Sequence, residues 1–107
     1  MILREWSAPV RTADGAAYAN YVASTGAGDY ARVPGYLGHQ ILLREIGDGV
    51  SRITTLSWWT DLDAIRGFAG ADPERARYYP EDEKYLLEFP ETVEHHEVFS
   101  DGLDLAG

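Results

Sequence analysis

Residues 36–59 read YLGHQILLREIGDGVSRITTLSWW. Tyr36 to Ile46 is one long extended stretch, Gly47-Asp48-Gly49 is a turn signal, and Val50 to Trp59 is β-branched and aromatic. Two such runs around a short Gly/Asp turn predict an antiparallel hairpin. Side chains alternate between the faces of a strand, so Ser51, Ile53, Thr55, Ser57 and Trp59 share one face and Arg52, Thr54, Leu56 and Trp58 the other. Both faces carry apolar residues: Ile41 and Leu43 oppose Leu42 and Ile46, and Trp58 opposes Trp59. An apolar face left uncovered marks an interface or a pocket. Helices are expected on one side of this hairpin and a second copy of the chain, packed sheet to sheet, on the other.

Upstream, Ile2, Arg4 and Trp6 alternate with Leu3 and Glu5, a short strand that Pro9 is expected to end. Thr12 offers an N-cap with Asp14 in the first turn, and Ala17, Tyr18, Tyr21 and Val22 follow at helical spacing. Gly26 and Gly28 are read as the helix stop, and residues 29–35 as a loop or loose helical turn. Downstream, Thr60 and Asp63 resemble a capping box ahead of the stripe Leu62, Ile65, Phe68 and Ala69, with Gly70 at the C′ position. Asp72-Pro73 predicts a short helix toward Tyr78 and Tyr79, and Pro80 with Glu81-Asp82-Glu83 repeats that logic. Residues 93–99 alternate as a last strand, and 101–107 read as a frayed tail. The order β-α-β-β-α-β predicts an α+β, ferredoxin-like protomer: a four-stranded antiparallel sheet with its helices on one face, in a single domain over 1–100.

Composition narrows the function classes. The chain has 107 residues, 45% apolar and 25% charged, the balance of an ordinary globular domain. Its formal net charge of −9, with nine scattered basic residues, argues against nucleic acid and anionic membrane as partners. With no cysteine, thiolate chemistry, disulfides and Cys-ligated metals are excluded. Residues 1–7 carry Arg4 and Glu5 without an apolar run, so no signal peptide is expected and a cytoplasmic location is.

Three stretches resemble a known family: Leu56–Gly70 (LSWWTDLDAIRGFAG), Asp72–Glu88 (DPERARYYPEDEKYLLE) and Thr92–Val98 (TVEHHEV). They look like the antibiotic-biosynthesis-monooxygenase family of the dimeric α/β-barrel proteins, and are closest to its small members of no known activity. The resemblance runs from about Pro34 to Val98, while the N-terminal third matches in its strand–helix layout alone. It implies a ferredoxin-like protomer, a homodimer, and a pocket between sheet and helices in each protomer. It implies, further, oxidation of a small aromatic or polyketide-like molecule with O₂ and no cofactor. Relatives that degrade haem use an Asn on the first strand, a Trp on the second helix and a His soon after. Here the first strand has no Asn, Phe68 stands near the Trp position, and no His lies between His39 and His95, which points away from haem.

The candidate site follows from strand parity. Thr55, Ser57 and Trp59 put two small hydroxyls and one large ring on a single face, as a lined cavity needs; Trp59 could equally fill the core or an interface. His95 is the candidate acid/base, because imidazole exchanges protons near neutral pH, and Glu97 shares its face. Hydrogen-bonded structural service is the other reading of His95. His95 and His96 point to opposite faces and too few ligands lie nearby, so no metal site is expected. Tyr78 and Tyr79 are candidates to donate to an oxyanion at a pocket mouth, and His39 is a further candidate for binding substrate. A polyketide cyclase or isomerase, and a non-catalytic dimeric binding protein, are the alternatives.

Overall fold

A computed structural model describes residues 1–103; the last four residues of the expected tail, 104–107, lie outside the described residues. The strands are β1 (Ile2–Arg11), β2 (Tyr36–Gly47), β3 (Val50–Trp59) and β4 (Glu94–Glu97). The helices are α1 (Gly15–Ser24), α2 (Gly26–Tyr30) and α3 (Leu62–Ala69), with 3₁₀ turns at Thr12–Asp14 and Pro80–Lys84. The sheet is antiparallel in the order β2-β3-β1-β4, the ferredoxin-like arrangement. The hairpin closes through Asp48-Gly49, both at positive φ (56° and 73°), the two-residue loop whose twist matches its strands.

Local signals gave way to tertiary structure in five places. Pro9 does not end β1, which runs on to Arg11 paired with β3. Beyond Glu5 no strand among the described residues lies on the β4 side, and the Pro9 carbonyl on that edge accepts from Leu87 N–H at 3.0 Å, so its nitrogen faces no ladder. Thr12 opens a 3₁₀ turn rather than capping α1. Gly26 and Gly28 do not stop the helical stretch but lie within α2, after a break at Thr25 (ψ −87°). The α3 cap is Asp61, not Thr60: its carboxylate accepts from Ala64 N–H at 2.8 Å. Residues 72–79 form no helix, because the Asp72 side chain makes a tight turn to Glu74 N–H and the segment then pairs with the chain before β4, Ala76 N–H to Glu91 O and Val93 N–H to Glu74 O. Gly70 caps α3 as expected, at φ 95°.

All three helices lie on one side of the sheet. On that side two apolar clusters form, one of Ala8, Val10, Tyr18, Ile53 and Leu86, the other of Tyr30, Trp59, Ile65 and Phe68. The strand register explains the split. Cross-strand pairs Ala8–Ile53 and Ile2–Trp59 are apolar, whereas the two rows between them, Trp6–Thr55 and Arg4–Ser57, are polar or amphipathic. Small hydroxyl side chains in those rows cannot fill the space under the helices, and a hollow is left between the clusters.

Candidate functional site

That hollow is a cavity of about 70 Å³. Its floor is the sheet: Arg4 and Trp6 from β1, Thr55 and Ser57 from β3. Tyr18 and Val22 of α1, Tyr30 of α2 and Phe68 of α3 form the helical wall. The irregular segment after α3 contributes Arg77, Tyr78, Tyr79 and Asp82, and Thr25, Gly26 and Val93 complete the lining. Arg77 is the exposed member of the lining and marks the mouth.

Arg4 is the most unusual of these residues. Its side chain is buried, 6% exposed, yet among the described residues it meets no carboxylate. The guanidinium donates to the carbonyls of Pro73 (2.6 Å) and Arg75 (3.1 Å) and lies 5.7 Å from the centre of the Phe68 ring. Burial lowers its pKa to about 10, opposed by the neighbouring Tyr30 phenol, so the group stays charged at neutral pH. Tyr30 is packed edge-on against Phe68 and Trp59, and its hydroxyl is buried without a hydrogen-bond partner. Burial, then Tyr36, raises the Tyr30 pKa to about 12 against the pull of Arg4.

Across the cavity, Asp82 is also buried, but it is fully engaged. Its carboxylate accepts from Tyr18 hydroxyl at 2.9 Å and from Tyr79 N–H at 2.6 Å. Burial, followed by Asp82, raises the Tyr18 pKa. At the mouth, Asp29 of α2 accepts from Tyr79 hydroxyl at 2.5 Å and pairs with Arg77 at 3.6 Å, tying α2 to the segment opposite.

The residues singled out from the sequence divide by position. Thr55, Ser57, Tyr78 and Tyr79 border the cavity. Both tyrosine hydroxyls are already used: Tyr78 accepts from Trp6 Nε1–H at 3.2 Å and donates to Pro90 O, and Tyr79 donates to Asp29. Trp59 is completely buried outside the lining, stacked behind Phe68 at 6.2 Å with its Nε1–H on Ser57 Oγ at 2.8 Å. His95 stands beside Arg4 in the β1–β4 ladder, outside the lining, with Nε2 buried and unpartnered. Its pKa is lowered, first by burial and then by Arg4. Glu97 is exposed two pairs further along, opposite Ile2, and His39 is exposed with Nδ1 on Tyr36 hydroxyl at 2.5 Å. Arg4, Tyr30 and Asp82 were not selected from the sequence. Arg4 had a signal there, a cation on the same strand parity as Ile2 and Trp6.

Among the described residues, no helix covers the other side of the sheet. Leu3, Leu42, Leu56 and Trp58 lie on it, Leu42 being 44% exposed. Glu5, Glu94 and His96 cluster at its β1–β4 corner, and Arg44 and Arg52 pair at the diagonal β2–β3 corner. Among the described residues no helix is long and apolar enough to cross a membrane.

Compared with known proteins, the chain matches no family profile and no curated sequence. Among solved structures it shares its fold with a candidate antibiotic biosynthesis monooxygenase from Bacillus cereus, at TM-score 0.61 and 13% identity over 96% of this chain and 97% of that one. SnoaB, a cofactor-independent oxygenase from Streptomyces nogalater, aligns at TM-score 0.48 and 22% identity over 99% of this chain and 98% of that one.

Proposed function

We propose that the chain is a cofactor-independent monooxygenase that oxidises a small aromatic, polyketide-like molecule with O₂ in the cavity between sheet and helices. The observation that carries this reading is a ring-walled cavity built around a buried cation: Trp6, Tyr30, Phe68 and Tyr78 offer faces for an aromatic ligand, and Arg4 offers charge for the anion formed when that ligand is deprotonated. The fold shared with the Bacillus cereus protein adds the support of analogy.

In this reading a base removes a proton from an activated ring carbon. The carbanion passes one electron to O₂, and the substrate radical and superoxide combine to form the C–O bond. The peroxide regains a proton and loses water, so that a CH₂ and O₂ become C=O and H₂O. His95, beside Arg4 just behind the lining, is the base of this reading: it is neutral, its Nε2 is free of other partners, and it serves once the bound ring displaces the packing between them. Tyr30 hydroxyl donates to the developing oxyanion, because Tyr78 and Tyr79 are held elsewhere. Trp59 braces the Phe68 and Tyr30 wall from behind. A cavity of about 70 Å³ is below the ~300–1,000 Å³ of drug-sized sites, so a fused-ring substrate enters only when the Asp29 tie opens.

The same proposal includes a homodimer formed through the open face of the sheet. A two-fold axis in the plane of that face brings the acidic corner of one copy against the Arg44–Arg52 corner of the other, while Leu3, Leu42, Leu56 and Trp58 are covered.

The test is oxygen uptake with a simple anthrone, without added flavin and with a chelator present. Saturable uptake above the uncatalysed rate, falling ~10²–10⁴-fold in His95→Ala, is the expected result. Proton exchange at the ring carbon without uptake would instead mark a cyclase or isomerase, and binding without turnover a carrier.

A further inference from the structure

We infer that the cavity is a seat for an organic anion, and that its ligand carries a carboxylate or ionised ring oxygen held jointly by the Arg4 guanidinium and the Tyr30 hydroxyl. The inference depends on the cavity being the ligand site, as proposed above, but not on any reaction with oxygen.

The first observation is a missing counter-ion. A guanidinium has five N–H donors and a charge that is expensive to take out of water alone. Arg4 is buried and spends donors on two neutral carbonyls, and among the described residues it forms no salt bridge. Asp82, the buried carboxylate in the same lining, is committed to Tyr18 and Tyr79. The chain carries 18 acidic residues against nine basic ones, yet none of the described acidic side chains is set against this cation. The place of a counter-ion is left to a ligand.

The second observation is independent of the first. Tyr30 hydroxyl is a buried donor without an acceptor, on a residue that borders the cavity and packs against the same Phe68 ring as Arg4. An unsatisfied buried hydroxyl costs free energy in the empty protein, and an anionic oxygen placed between it and the guanidinium removes that cost. Neutral aromatics gain the ring contacts without the charge-assisted bonds, so the seat discriminates by charge. Phe68 lies beneath Arg4, which sets an aryl ring beside the charged head rather than far from it.

The probes are benzoate and its neutral isostere benzamide, followed by amide and arginine Nε–H chemical shifts of the whole chain in solution. 4-Nitrophenol, titrated above and below its ionisation, distinguishes a ring oxygen from a carboxylate. Benzoate is expected to bind about tenfold or more tightly than benzamide, with shifts centred on Arg4, Tyr30 and Ser57. Tyr30→Phe should lower benzoate affinity about fivefold and leave benzamide unchanged, and Arg4→Lys should weaken benzoate while retaining some preference for it. Equal binding of the two probes, or no binding of either, overturns the inference. So does a benzoate preference that survives undiminished in Tyr30→Phe, a variant that removes no packing atom of the ring. Oxygen uptake on neutral substrates with no benzoate preference would sink the anion seat and spare the oxygenase; benzoate selectivity without oxygen uptake would do the reverse.

Discussion

Arg4 and His95 are paired across the β1–β4 ladder with both side chains on the helix-covered side of the sheet, a permanent cation beside a titratable ring. Burial first, and Arg4 second, disfavour the imidazolium, against the weaker pull of Glu74; His96, on the opposite face, adds to the lowering. The imidazole is therefore held neutral, and its covered Nε2 has no partner among the described residues.

This pairing makes stability depend on pH. The His95 pKa is lower in the folded chain than in the unfolded one, so between the two values the unfolded chain binds more protons. The contribution of His95 is complete above its ordinary pKa near 6.5 and is lost as pH falls through the lowered folded value. Thermal unfolding from pH 7.5 to 5 should show a shallower acid-side loss for His95→Gln than for the parent chain. Identical slopes would mean that the imidazole is not held neutral.

Tyr30→Phe should stabilise the empty protein. The hydroxyl is buried and unpaired, so removing it eliminates a desolvation penalty while the ring contacts with Trp59, Phe68 and Tyr36 remain. A gain of about 1 kcal/mol in urea unfolding is expected, together with the weaker anion binding described above. A loss of stability would show that the hydroxyl already has a partner.

Asp29→Ala should open the mouth without unfolding the chain. The Asp29–Arg77 pair is about half exposed on each side, which makes it worth less than ~1 kcal/mol. Its position, together with the Tyr79 contact, matters more than its energy, since it closes α2 onto the far wall. Stopped-flow quenching of Trp6, which borders the cavity, should report faster benzoate association in the variant. An unchanged rate would place the entry elsewhere.

Trp58→Glu should separate the proposed dimer. Trp58 points to the open side while Trp59 fills the core, so a carboxylate at 58 is costly at a covered interface and cheap on a free surface. Native mass spectrometry should find a dimer for the parent chain and a folded monomer for the variant. A monomeric parent would remove the dimer from the proposal.

The fold was legible where one physical signal dominated. Period-two alternation and the Gly47-Asp48-Gly49 turn defined the β2–β3 hairpin, and the Leu62–Gly70 stripe defined α3. Misreadings occurred where the deciding partner was distant. Pro9 looked like a terminator because nothing local says that its nitrogen faces a sheet edge. Asp72-Pro73 looked like a helix start because its pairing with residues 91–93 is long-range. The site followed the same rule. Parity put Thr55 and Ser57 on one face with Trp59, but only the three-dimensional packing shows that this face lies under the helices and that, among the described residues, no carboxylate meets Arg4 and the Tyr30 hydroxyl lacks an acceptor.

The two walls of the cavity are made of different backbone, and this gives the protein an unequal capacity to diverge. Arg4, Trp6, Thr55 and Ser57 belong to ladders in which any shift of register displaces a neighbouring strand. Arg77, Tyr78 and Tyr79 belong to an irregular segment fastened by scattered single bonds, such as Ala76 to Glu91. Exchanges in that segment beyond Arg75 leave the strand ladders and the Arg4 anchors on Pro73 and Arg75 in place. Descendants of this chain, natural or engineered, can therefore remodel the outer wall of the cavity while keeping the buried Arg4 charge on its floor.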